Sequence, residues 1–532
     1  MPFKSDTPDV VIPNTDLVSF VLDQAATGDI DKRIFVDALD TTRAYTLRTL
    51  RECAMSFAAG LQTLLKFQKG DVLAIFSANS IEYPVVVFGT FLAGGTVSLV
   101  NPAYKAGEVV HQLRDSKTKV FFTTPDLLAT ATEACASVGL SNDRILVSSD
   151  DADAPHSWQR AFAQATSLTR VPLASTDLAF IQYSSGTTGL SKGVRLSQGN
   201  LIANLCQWDA AETYLSSKDS LILVLPFSHI YALHTLVMGP IRRQMTSFVL
   251  PRYDPKRFLE LVDTHGITAS FIVPPIVKAL LQADTTKYNL SSLKFLCSGA
   301  APLSPSLANQ VCATLNITIS QGFGLTETSP VLAYARFTGE PGKQYTGSVG
   351  RLLPNIELKI VNAAGDEVAA GEEGELLVKG PNVMQGYLNN PTADANAFTD
   401  DGFFKTGDLG YLSDDGQIFL VDRIKELIKY KGFQVAPVEL ENILIQHPRV
   451  LDVAVIGRDC QEEVTELPTA FVVLRPQAAL PSGWELISFV GDQVAGYKRL
   501  RGGVVYCDSI PRLPAGKILR RLLKASSFQA VM

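Results

Sequence analysis

The sequence predicts an α/β protein of at least two domains, on three observations. Short apolar runs with β-strand character alternate with helix-like segments through most of the chain, which argues for mainly parallel sheets. Between about residues 347 and 420 the pattern changes to short strands split by Gly and Asp-Asp-Gly turns, which reads as antiparallel. The 532-residue length exceeds what one compact core serves.

Taken in order, residues 50–65 carry apolar residues at helical spacing, and 71–76 form a β-type run closed by the turn-prone Ser77-Ala-Asn-Ser80. Further strands are expected at 119–124, 178–181, 220–225, 268–273 and 294–296. Strands 357–361, 374–379 and 417–421 belong to the antiparallel stretch. After Asp422 a small α+β unit begins, with strands at 453–456 and 470–474, and the charged Asp422-Arg-Ile-Lys425 is the boundary. Two stretches, 85–100 and 221–241, are apolar enough to raise a membrane span. The first is short and holds Gly94-Gly95, and the second carries Pro226, His229 and His234, so both read as buried core elements.

Composition narrows the functional classes. Apolar residues make up 46% and charged residues 19%, the balance of an ordinary globular protein rather than a disordered one. A net charge of −6 provides no overall basic field for nucleic acid. The seven cysteines are scattered and form no CxxC, which disfavours a disulfide framework or zinc site and suits a reducing compartment. The first residues hold acids and prolines where a signal peptide needs an apolar run, and the last four, Gln-Ala-Val-Met, are not a Ser-Lys-Leu address; a cytoplasmic location is expected.

The most informative string is YSSGTTGLSKGV, residues 183–194, directly after an apolar strand. Glycines let backbone N–H groups approach phosphate oxygens, hydroxyls add donors, and Lys192 adds a point charge. It is not a Walker loop, since Ser191 stands where Gly should precede the Lys. A plain Gly/Ser/Thr linker is the alternative reading. Two histidines five apart, His229 and His234, do not share one helix face, which disfavours a metal pair.

This string resembles the signature of the adenylate-forming superfamily: acyl-CoA synthetases, firefly-type luciferases and peptide-synthetase adenylation domains. Further motifs follow in matching order: LPFSHIYAL around His229, SGAAP at 298–302, QGFGLTETSP at 321–330, Thr406-Gly-Asp408, DRIKELIKYKGFQVAPVE at 422–439 and PRLPAGK at 511–517. KELIKYKGFQVAP and SGAAPLS are most similar to 4-coumarate:CoA ligase.

The resemblance implies a large N-terminal domain, residues 1–421, of two mainly parallel α/β subdomains plus a small antiparallel β-subdomain. A small mobile α+β domain, 422–532, follows a hinge near 422–425. It implies ATP, Mg²⁺ and coenzyme A as cosubstrates and cofactor, a small-molecule carboxylic acid as partner, and no nucleic acid or integral membrane segment. The implied reaction activates an aryl, arylpropenoic or medium-chain fatty acid as acyl-AMP and then forms the CoA thioester. Handover to a carrier protein, luciferase-like oxygenation and a catalytically dead binding protein are the alternatives; intact Thr326, Glu327, Asp408, Arg423, Lys429 and Lys517 disfavour the last.

By the same resemblance, Ser184, Ser185, Gly186, Thr187, Thr188 and Lys192 hold the β- and γ-phosphates, Thr326 contacts the α-phosphate, and Glu327 helps hold Mg²⁺. Gly299, Ala300 and Ala301 wall the adenine, with Gln321, Gly322 and Phe323 beside it; Asp408 and Arg423 take the ribose. Lys517 serves the first half-reaction. Lys425 is the pivot, and rotation brings Lys429 and Gln434 into place of Lys517. Lys431, Gly432 and Arg252 border CoA. His229 adjoins the carboxylate site, and Tyr231, Thr235, Gly299, Ala300, Gly322, Pro330 and Val331 line the acyl pocket. The chain departs from the family at Ser197-Gln198, Phe403, Cys297, His234 and Thr235, of which the last three bear on the acyl pocket.

Overall fold

The structure is a computed structural model of the whole chain; it describes all residues except 1, 149–156, 163–164, 166, 185–190, 338–344, 431–432, 461–464, 477–479, 514–515 and 526–532, and the side chain of Ala161. Among the described residues, three sheets build the large part of the molecule.

The first is six-stranded and parallel in its interior, with Val72–Phe76, Thr96–Val100 and Leu178–Ser184 side by side and the antiparallel Lys192–Ser197 closing one edge. The central strands are buried throughout, as expected where helices cover both faces. Leu47–Thr63 forms a helix capped by Thr46, whose side chain accepts from Thr49 N–H while Thr49 returns the bond, satisfying two otherwise free donors. The apolar stretch 85–100 resolves into a buried helix, Tyr83–Leu92, and the strand Thr96–Val100.

The second sheet has nine strands and sets Ser220–Leu223, Ala269–Ile272, Phe295–Ser298 and Thr318–Gly324 in parallel. The N-terminal Arg33–Asp37 joins this sheet beside Thr246–Val249, although the chain alternation groups it with residues up to 170. The third sheet is antiparallel: Glu357–Val361, Gly374–Lys379, Phe404–Leu412 and Ile418–Arg423, with Phe3–Lys4 added at one edge.

The last part has cores of its own. Ile428, Val435, Leu440, Val453, Val472, Leu486 and Val504 pack together on one face of a three-stranded sheet, Val450–Cys460, Thr465–Leu474 and Val504–Tyr506. Ala454, Ile456, Phe471 and Leu523 pack on the other. Ile428–Tyr430 and Phe433–Val435 form a separate hairpin. Among the described residues no helix is long and apolar enough to cross a membrane.

Candidate active site

Three parallel strands end at one place. Leu178–Ser184, Phe295–Ser298 and Thr318–Gly324 deliver Ser184, Gly299–Ala300 and Gln321–Phe323 from their carboxyl ends, where α/β sheets present ligand sites. They border a cavity of about 560 Å³, joined through Ala300, Gly322, Phe323, Arg423 and Lys517 to a second of about 230 Å³.

Ser184 pairs in register with Lys192 across the strand pair Leu178–Ser184 and Lys192–Ser197, so both reach the large cavity. Ser185, Gly186, Thr187 and Thr188 lie outside the described residues. Lys192 Nζ stands 4.9 Å from the centre of the Tyr387 ring, and Tyr387 Oη donates to Glu327 Oε1 at 3.0 Å. Tyr387 thereby links a cation and an acid that the sequence places far apart. Nothing in Gly386-Tyr-Leu-Asn marks it as functional; the link exists only in the folded chain.

Ala300 holds a left-handed φ of 64°, unusual for a residue with a Cβ and a conformation that clusters at ligand sites. Gly299 permits a close approach: a Cβ there would meet Tyr231 Cε1 and Cζ at 3.0 Å, so the ring would have to shift. Tyr231 Oη donates to the Cys297 carbonyl at 3.2 Å. Trp208, Tyr231, Cys297, Gly322, Pro330 and Val331 line the cavity and carry no charge. Burial pushes the Cys297 thiol up to about 12, so it stays protonated. Thr235 is not among the lining residues; it is buried behind Tyr231, with Oγ1 donating to the Tyr231 carbonyl at 2.6 Å.

His229 caps the short helix Ile230–Ala232, its Nδ1 accepting from the Tyr231 N–H at 3.3 Å. Burial lowers its pKa to about 4, so the ring is neutral, and with Nδ1 accepting the proton sits on Nε2 as a donor.

On the antiparallel sheet, Asp408 and Arg423 are directly opposed, and Arg423 Nε lies 2.6 Å from Asp408 Oδ1. Asp408 Oδ2 is buried with no hydrogen-bond partner among the described residues. Such an acceptor is costly unless a ligand donates to it, and paired ribose hydroxyls are suitable donors. Burial pushes the Asp408 carboxyl up to about 6, against the pull of Arg423 and Lys517. The proton occupies the acceptor below that pH. With ribose hydroxyls as those donors, ATP is expected to bind well above about pH 6 and to weaken as pH falls through it, seen as a rising KM for ATP with less change in kcat, an effect that Asp408→Asn removes.

Lys517 lines both cavities. Burial, then Arg423, lowers its pKa, opposed by Glu426, Asp408 and Glu327. Lys425 borders the large cavity, and Gln321 lines the small one with its Oε1 accepting from Tyr345 Oη. Lys429 and Gln434 are opposed across the hairpin, exposed, and outside both cavities. Lys431 and Gly432 lie outside the described residues, and Arg252 is exposed away from the cavities. Among the described residues no group of three or more His, Cys, Asp or Glu could hold a metal. Glu327 as a single buried carboxylate suits Mg²⁺, which takes one or two protein carboxylates and completes its shell with water and phosphate oxygens.

The large cavity thus carries an uncharged stretch at Trp208, Tyr231, Cys297, Pro330 and Val331 and a charged one at Lys192, Glu327, Arg423 and Lys517. The chain matches the AMP-binding enzyme model over residues 22–388 and the AMP-binding enzyme C-terminal domain over 439–517. It is 36% identical to a probable 4-coumarate–CoA ligase of Dictyostelium discoideum, covering 98% of this chain and 97% of that one. It is 38% identical to a phenylacetyl-CoA ligase of Aspergillus niger over 96% and 97%. The o-succinylbenzoate CoA synthetase of Bacillus subtilis, solved with its acyl-adenylate intermediate, superposes with a TM-score of 0.82 at 25% identity over 97% and 99%. The chain belongs to the AMP-binding enzyme family and is an acid–CoA ligase that works through an acyl-adenylate.

Proposed function

We propose that the acid is an aryl or arylpropenoic acid, or a medium-chain fatty acid of similar bulk, and that its tail lies between Tyr231 and the bare backbone of Gly299 and Gly322. The observation that carries this reading is the uncharged wall of Trp208, Tyr231, Cys297, Pro330 and Val331, with the Tyr231 ring so close to Gly299 that a Cβ there would meet it at 3.0 Å. Flat rings fill such a slot with large apolar contact. The relatives named for 4-coumarate and phenylacetate support the same size class.

In the first half-reaction the acid's carboxylate oxygen attacks the α-phosphorus of ATP, and pyrophosphate leaves. Both partners are anionic, so the protein's contribution is alignment and charge neutralisation. Ser184 and Lys192, with the four loop residues that follow Ser184, hold the outer phosphates. Thr326 contacts the α-phosphate, and Glu327, steadied by Tyr387, would hold Mg²⁺, which supplies further neutralisation of phosphate charge when bound. Asp408 and Arg423 fix the ribose, Ala300 and Phe323 border the base, and neutral His229 offers Nε2–H toward the carboxylate. Lys517 neutralises charge between carboxylate and α-phosphate.

In the second half-reaction the CoA sulfur attacks the acyl carbon and AMP leaves with the bond electrons. The present arrangement places Lys517 at the cavity and Lys429 outside it, which suits the first step. Swinging the small domain about Lys425 would exchange them and bring Gln434, Lys431 and Gly432 to the CoA path.

The slot is tested by Gly299→Ala. Its methyl group must displace Tyr231, so kcat/KM for 4-coumarate and phenylacetate should fall about 10-fold, the scale of one misplaced methylene, with much less loss for a short aliphatic acid. Equal loss for acids of every size would remove the slot from the account.

A further inference from the structure

The Lys517 loop is held against the large domain by contacts outside the reacting centre. Helix Pro274–Gln282 begins with two prolines, and Gly516, at φ +86°, lies so close that a Cβ there would meet Pro275 Cδ at 3.1 Å. One turn further along the same helix face, Lys278 Nζ reaches Asp452 Oδ1 at 2.6 Å. Asp452 stands on the small domain's strand Val450–Cys460. It also accepts from Arg512 Nη2 at 3.0 and 3.3 Å. Arg512 Nη1 in turn donates to the Gly516 carbonyl at 3.0 Å, and Leu513 N–H donates to the Lys517 carbonyl at 2.8 Å. Asp452 therefore joins the large domain, the small-domain sheet and the loop that carries Lys517.

The three side chains are only 22–25% exposed, so the ion pairs are screened less than surface ones. Burial alone would raise the Asp452 pKa, but Lys278 and Arg512 together hold it below the usual carboxylate range. The carboxylate thus stays charged, and both contacts persist, at neutral pH.

We propose that Lys278 is a positioning residue for adenylation: through Asp452 and Arg512 it seats the Lys517 loop on the large domain, and its ion pair opens before Lys429 can replace Lys517. The proposal rests on the reading that the small domain swings between half-reactions. Lys278 touches no reacting atom; it sets how much of the protein stands ready for the first step and how readily that state is left.

The test separates the half-reactions, with 4-coumarate and phenylacetate as acids. ATP–pyrophosphate exchange without CoA reports the first, and conversion of synthetic acyl-AMP by CoA reports the second. Lys278→Met is expected to lower the exchange rate about tenfold, the scale of one coupled ion pair, with KM for ATP little changed. Its acyl-AMP conversion should equal or exceed that of the unmodified protein, and Lys278→Arg should restore exchange. Unchanged exchange in Lys278→Met overturns the proposal. So does an equal fall in both half-reactions, which marks a merely structural residue. Lys429→Ala measured alongside tests the reading beneath it: if acyl-AMP conversion survives that substitution, the swing itself fails, independently of how Lys278→Met behaves.

Discussion

Lys517→Ala is expected to slow acyl-adenylate formation about 10²–10³-fold, the cost of removing one charge donor aimed at a transition state. The ammonium sits where burial and Arg423 disfavour its charge, and Asp408, Glu426 and Glu327 only partly offset this. An anion placed between Arg423 and Lys517 relieves that disfavoured charge, and the developing charge on the α-phosphate oxygens is the one that grows during the reaction. The loss should fall on kcat of pyrophosphate exchange more than on KM for ATP, because in the proposed assignment Ser184 and Lys192, not Lys517, hold the outer phosphates. Conversion of synthetic acyl-AMP by CoA should be nearly untouched. Exchange and conversion measured on the same preparation check both halves of the expectation.

Lys429→Ala is expected to show the opposite split. Its side chain is exposed on the hairpin and outside both cavities, so exchange should proceed at the unmodified rate. Conversion of acyl-AMP by CoA should fall about 10-fold or more, as a cation near the thiol favours its thiolate and the leaving adenylate. Gln434 faces the same side of the hairpin in direct register, and Gln434→Ala should show a weaker form of the same split.

These two lysines also show what the sequence made legible. Each belongs to a local string whose residue types suit one task, and the order of the strings along the chain matched a family. Local strings likewise predicted Glu357–Val361 and Gly374–Lys379 to the residue, since a period of two bounded by turns is a short-range signal. Long-range pairing was not legible. Arg33–Asp37 looks like part of the first alternating series yet pairs with Thr246–Val249, and Phe3–Lys4 pairs with Glu357–Val361. No local pattern encodes a partner some 200 or 350 residues away.

The site divides in the same way. Asp408 and Arg423 were each named from motifs, and folding adds that they oppose one another across two strands and leave Asp408 Oδ2 without a partner. Thr235 was placed in the acyl wall by resemblance, but its hydroxyl turns back to the Tyr231 carbonyl one helical turn earlier, and of the two only Tyr231 lines the cavity. Tyr387 and Lys278 had no motif to announce them. Their roles arise from contacts with Glu327 and Asp452, 60 and 174 residues away.

The central claim, that one chain makes an acyl-adenylate and passes the acyl group to CoA, is tested most directly by AMP release with ATP and Mg²⁺. The assay runs across aryl, cinnamic and short- to medium-chain acids, with and without CoA. The account predicts sustained AMP formation only when CoA is present, with stoichiometric acyl-CoA from the aryl or medium-length acids. Adenylate turnover that proceeds at the same rate without CoA, and yields no thioester with it, would contradict the account.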